Sequence, residues 1–148
     1  MERKRIEQSD FKVFIGKWST EGRIFGTGEN PETRISGTDT YESILDGFFL
    51  LHTADVLIGK EKSKTFEIMG FMESDAQVSL QHYNNAGSFG LMSGSLINGE
   101  WKIRGTELRF DGKFTENRNV LTGNWQKLDN QKKWVNFIEI KLIRRSPS

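Results

Sequence analysis

From Gly16 onward the chain is a succession of short runs rich in Thr, Ile, Phe, Trp and Leu, each closed by a turn signal. "KWSTEGRIFG" leads into a polar loop at "TGENPE", with Pro31 as a breaker. "TRISGTDTYESIL" follows, then a turn at Asp46-Gly47, then "FFLLHTADVLI". "GKEKSK", "SDA", "NNAG", "ENRN" and "DNQ" separate the later runs. About nine or ten strands of roughly 7–12 residues at short spacing mean an antiparallel meander in a sandwich or barrel. Glycines inside these runs (Gly70, Gly90, Gly94, Gly105, Gly123) favour the barrel, because a strand bends sharply at Gly and closure needs such bends. The expected fold is all-β, an antiparallel up-and-down β-barrel with a short N-terminal helical turn. A barrel slightly wider than eight strands has room for an interior ligand.

Phase along the runs assigns faces. Val78, Leu80 and His82 alternate with Ser79 and Gln81; Trp101 and Ile103 alternate with Lys102 and Arg104. Leu108, Phe110, Gly112 and Phe114 form a further inward set. The parity changes between Ile103 and Leu108, and a one-residue slip swaps every face, so a bulge or turn is expected at Gly105–Glu107. Asn98-Gly99 is the strongest hairpin signal, since both residues accept positive φ at low cost. Ser9 or Asp10 can cap one or two helical turns over "FKVFI", ending by Gly16. The domain reading is an N-terminal tail over 1–8 and a single barrel domain over 9–145.

A chain of 148 residues fits one domain. It has no cysteine, which removes disulfides, thiol catalysis and Cys-ligated metal. A net charge of +1 is not the footprint of a nucleic-acid binder. "MERKRIEQSD" has no apolar core of a secretory signal, and no apolar run reaches the ~20 residues of a membrane span. A cytoplasmic location is the expectation.

Two histidines stand out. His52 is in phase with Phe48, Leu50, Ala54 and Val56; His82 is in phase with Val78 and Leu80. Facing a lumen, either imidazole could orient a polar head or ligate a metal. With no close carboxylate partner in view they fall short of a zinc set, so no metal is expected. Asp39, Glu42, Asp55 and Glu67 are expected at the surface, as unpaired carboxylates usually are. Tyr41 alternates with Asp39 and Ser43, so its phenol suits either a polar patch of lumen or a surface pair. Of the aromatic residues at strand spacing, Phe66, Phe89, Trp101 and Trp125 are candidate ligand-wall residues, with barrel filling as the alternative. Trp125 and Trp134 flank the last hairpin and could stack across it. No serine has a nucleophile-elbow context, and the Gly-rich pieces "GSFG", "GLMSG" and "GTGE" open no helix, so no catalytic residue is assigned.

The opening "FIGKWSTEG", with "GTDTYESILDGFFLLH", "FEIMGFMESDAQVSLQHYNNAGS", "GNWQK" and "KKWVNFIEIKLIRR", resembles the lipocalin and calycin barrels over about residues 10–145. More closely it resembles a bacterial lipocalin-like family of unknown function, similar in outline to nitrobindin-type barrels. The resemblance implies that Trp18 plugs the closed end under an arginine from the last strand, Arg144 or Arg145. The alternative for both arginines is a solvated C-terminal tail. In nitrobindin-type barrels the haem iron is held by a histidine near the C-terminal strand; "WVNFIEIKLIRR" has none, so haem is not carried over. The expected function is non-enzymatic binding of a small hydrophobic or amphipathic ligand. The alternatives are an isomerase or redox enzyme using a lumen histidine, and a homodimerising module with outward Phe49, Leu51 or Val135.

Overall fold

A computed structural model describes residues 3–73 and 77–146 of the chain. The strands are β1 (Gly16–Ile24), β2 (Thr33–Ile44), β3 (Phe49–Ile58), β4 (Glu61–Phe71), β5 (Gln77–Asn84), β6 (Phe89–Ile97), β7 (Glu100–Arg104), β8 (Leu108–Thr115), β9 (Val120–Leu128) and β10 (Trp134–Arg144). Each pairs antiparallel with its sequence neighbours, and β10 pairs β1, so the sheet closes as a barrel. This is the expected fold. Closure leaves no edge strand for another chain to pair with.

Local chemistry explains the connections. Asn98 and Gly99 adopt φ of 52° and 80°, the two positive values that a two-residue hairpin turn requires. The phase change after Ile103 is a turn: Gly105 N donates to Leu108 O at 2.8 Å, and Asp111 and Gly112 lie inside β8. Gly105 is therefore a turn residue and does not bend a strand. The turn expected at 74–76 lies outside the described residues. β10 carries an irregularity between Asn136 and Ile138, which shifts its register on β9.

One end of the barrel is plugged by the N-terminal segment. Two 3-10 turns, Ile6–Gln8 and Asp10–Phe14, are joined at Ser9. Its hydroxyl accepts from Phe11 N at 3.2 Å and caps the second turn, so of the two candidate caps Ser9 is the one used. Phe11 and Phe14 then enter the barrel mouth. Their rings meet Trp101 with centroids 6.1 and 4.9 Å away, and Phe14 meets Phe114 at 5.2 Å. The tail expected over 1–8 needs correction here, because Ile6 is fully buried and belongs to this core.

Trp18 completes the plug. It is fully buried, and its Nε1 donates to Phe14 O at 2.9 Å. Arg144 is its partner, with the guanidinium carbon 4.1 Å from the ring centroid. The same guanidinium donates to Ile15 O at 2.8 Å and Val13 O at 2.5 Å, and its Nε donates to Asn119 Oδ1 at 3.0 Å. Arg145 points elsewhere and donates to Ser19 Oγ at 2.8 Å. One arginine therefore ties the last strand to the plug.

Interior glycines make room for rings. The ring of Trp101 lies where a Cβ on Gly94 would sit, and the Phe110 ring occupies the same place over Gly123. Because Trp101 is held between Phe11 and Phe14, it has no direction in which to yield. Gly94→Ala is expected to cost about 1–3 kcal/mol of stability by overpacking. Equilibrium denaturation of the variant measures it; a loss below about 0.5 kcal/mol would show that the ring has free space.

Among the described residues, no helix is long and apolar enough to cross a membrane.

Candidate functional site

Directly opposed residues of an antiparallel sheet share a face. Tyr41 on β2 opposes His52 on β3, His52 opposes Glu67 on β4, Glu67 opposes His82 on β5, and His82 opposes Gly90 on β6. Tyr41 and Glu67 are buried, so the whole row faces the interior. Asp39 is two residues from Tyr41 on the same face, and Thr20 is two residues from Trp18 on β1. The barrel thus places six polar side chains on adjoining inner positions, next to the aromatic plug.

Their geometry is specific. His52 Nε2 is 2.5 Å from Asp39 Oδ1, and His52 Nδ1 is 3.1 Å from Glu67 Oε1. Thr20 Oγ1 donates to Asp39 Oδ2. The Tyr41 ring lies flat on the imidazole, with centroids 4.0 Å apart and planes 9° apart, and its other contact is the plug residue Phe14 at 4.9 Å. Burial by itself would lower the pKa of His52. The hydrogen bonds and charges of Asp39 and Glu67 outweigh burial and raise it to about 10. At neutral pH both ring nitrogens therefore donate. Burial, followed by the charges of Asp39 and Glu67, lifts the Tyr41 phenol well above its ordinary range, so it stays neutral.

His82 completes the row. Its ring lies over Gly90, where a Cβ would collide with it. Its Nδ1 is buried and has no hydrogen-bond partner among the described residues. A buried nitrogen in that state calls for an explanation, because it has lost water without replacement.

Part of the remaining inner wall is less tightly buried than the plug. Ala54, Thr65, Met92, Trp125 and Ile140 face inward by register, yet each is only partly buried. Small inward residues (Gly37, Ala54, Ser63, Thr65) line the β2–β4 side. The interior is closed at one end by aromatics, and toward the other end the inward Ala54, Ser63 and Thr65 are only partly buried.

The structure corrects several expectations. Asp39 and Glu67 are 7% and 9% exposed rather than surface groups, and they are the close carboxylate partners that His52 was thought to lack. Glu42 is exposed, and Asp55 pairs with Lys62 at 2.7 Å on the outer wall. Phe66 and Phe89 point outward and are 48% and 78% exposed, so neither lines the lumen. They oppose Tyr83 in an outer row, because Glu67 and His82 take the inner one. Trp101 is part of the plug, not a ligand wall. Trp125 packs on Phe110 at 5.2 Å, while Trp134 carries the Arg109 guanidinium at 4.4 Å, so the two tryptophans do not stack on each other. His52, His82, Tyr41 and Trp125 face inward by register, which settles a direction that phase alone left open. Thr20 was missed, although its parity with Trp18 would have flagged it.

Both nitrogens of His52 are taken by carboxylates, which leaves it no lone pair for a metal. Among the described residues, no group of three or more His, Asp or Glu side chains is disposed to hold a metal ion. A separate groove of about 460 Å³ lies on the outer wall of β7–β10. Its charges alternate and cancel: Glu100, Asp111 and Glu139 against Lys102, Lys113 and Lys141. It has no buried polar group and no single-sign field to select a ligand.

The fold and this inner row define a class: a closed ten-stranded antiparallel barrel with an ion-paired histidine on its inner wall, over an aromatic plug. The chain belongs to the family described as "Protein of unknown function (DUF1579)", whose model matches residues 5–140. In structure it is similar to Rv2717c from M. tuberculosis, whose crystal structure aligns with a TM-score of 0.72 at 13% identity, over 98% of this chain and 100% of that one. At that identity the likeness speaks to the fold alone. No curated protein matches the chain.

Proposed function

We propose that this barrel is a lipocalin-like binding protein for a small amphipathic molecule. Its apolar body would lie against Trp125 and the small inward Ala54 and Thr65, and its polar head would meet the row of His52, Glu67 and His82. The observation that supports this best is the location of the polar row. It holds two buried carboxylates around a histidine, and it borders inward residues, Ala54 and Thr65, that are small and only partly buried. Polar groups buried without a structural need are the usual mark of a recognition site.

Acid–base catalysis is the weaker reading. An imidazole that stays protonated to about pH 10 has no lone pair to accept a substrate proton at neutral pH. His52 therefore suits recognition better than turnover.

A neutral environment-sensitive dye, N-phenyl-1-naphthylamine, tests the binding reading. Saturable one-to-one binding with a blue-shifted emission is expected. Ala54→Phe fills the lumen from β3 and is expected to abolish it. A dye that does not saturate, or that binds the filled variant equally well, would overturn the reading.

A further inference from the structure

We propose that the ligand head is an ammonium group, so that the barrel selects amphiphilic amines over alcohols and carboxylates. This rests on the binding reading above and adds the sign of the head group.

Charge balance is the first support. Asp39 and Glu67 flank one imidazole. His52 contributes at most one positive charge against two negative ones, so the cluster keeps a net negative charge whether or not the ring is protonated. Thr20 and Tyr41 are neutral and do not change that sum. A carboxylate head would bring a third negative charge into a region with little water, where like charges repel most strongly.

The donor and acceptor inventory points the same way. Asp39 Oδ1 accepts from His52 and Oδ2 from Thr20, and Glu67 Oε1 accepts from His52. The other Glu67 oxygen has no partner among the described residues. On the neighbouring strand, His82 carries a buried Nδ1 with no hydrogen-bond partner among the described residues. Glu67 and His82 are direct cross-strand partners, which sets their Cβ atoms about 4.5–5.5 Å apart. With its proton on Nε2, His82 offers Nδ1 as an acceptor. In that tautomer the row carries two unpartnered acceptors, the second Glu67 oxygen and His82 Nδ1, beside the net negative charge of the cluster. An ammonium carries three N–H donors and a full positive charge, so it can serve more than one acceptor; a hydroxyl has only one proton to give.

The test is isothermal titration of the intact protein at neutral pH with octylamine, octanol and octanoate, all below micellar concentration. One charge-assisted hydrogen bond corresponds to about tenfold in affinity or more, so octylamine is expected to bind at least about tenfold tighter than octanol, with octanoate weakest. Glu67→Gln removes the charge and is expected to pull the amine-to-alcohol affinity ratio down by about tenfold. His82→Phe keeps a ring over Gly90, removes the acceptor and is expected to lower the same ratio, which covers the case in which Glu67→Gln fails to fold. Octanoate binding as tightly as octylamine, or a ratio unmoved by both variants, would overturn the ammonium assignment. So would failure of all three octyl compounds while the neutral dye still fills the lumen. Loss of dye binding as well would instead remove the binding reading beneath it.

Discussion

Between about pH 6.5 and pH 10 the protein is expected to lose stability as pH rises, by on the order of 1 kcal/mol per pH unit, because of His52. In the unfolded chain the imidazole releases its proton near 6.5. In the barrel it holds the proton until about 10, between Asp39 and Glu67. Within that window the folded state binds one more proton than the unfolded state, so stability falls as pH rises. Below 6.5 both states are protonated and the full contribution is present. Guanidinium denaturation at a series of pH values reads the slope directly, and a profile flat from pH 6.5 to 9.5 would mean that His52 is not held as a cation. The matching variant is His52→Phe. It keeps a ring under Tyr41 but leaves two buried carboxylates with no cation, which is expected to cost about 3–5 kcal/mol at neutral pH. Adding Asp39→Asn and Glu67→Gln to that variant removes the unpaired charges and is expected to restore much of the loss.

Trp18→Ala is expected to cost about 3–5 kcal/mol, the range for truncating a large buried aromatic. The indole is fully buried, and three separate interactions end on it. Phe14 O loses the Nε1–H that satisfies it, Arg144 loses the ring beneath its guanidinium, and Phe114 loses a neighbour 6.1 Å away. A carbonyl left unpaired in the core adds to the cavity cost. Loss of this plug also frees Arg144, which otherwise joins β10 to the N-terminal turns through the Val13 and Ile15 carbonyls. Chemical denaturation is the measurement. A change below about 2 kcal/mol would mean that the closed end is held by the Phe11 and Phe14 aromatics without Trp18.

These two sites differ in how far the chain alone reveals them. Trp18 stands at a recognisable place, two residues past Gly16 and at the head of the first strand. Its arginine is one of two adjacent residues at the other end of the chain. Only the β1–β10 register, with Trp18 opposite Arg144, separates them. The His52 row was harder to see. His52 and His82 were visible as residues in phase with apolar neighbours. Asp39 and Glu67 were not, because "TFEIMGFME" is apolar on both phases and gives no sign of which one faces inward. The same ambiguity put Phe66 on the wrong side. Phe89 failed for a related reason: an aromatic at strand spacing fits either face until the pairing is known.

What the sequence by itself determined is whatever depends on neighbours a few residues apart. Alternation set the strands, positive-φ residues set the Asn98-Gly99 hairpin, a parity break marked a bulge or turn at Gly105–Glu107, and Ser9 or Asp10 marked the N-terminal cap, with the structure choosing the turn and Ser9. These are local steric and hydrogen-bonding choices, written in consecutive residues. What only the tertiary structure decided is the set of contacts across strands. Asp39, His52 and Glu67 lie on three strands, 13 and 15 residues apart along the chain. They meet because barrel closure fixes every register at once, and a shift of one residue would send each of them to the opposite face. The charge of the interior is therefore a property of the closed sheet that no single segment carries.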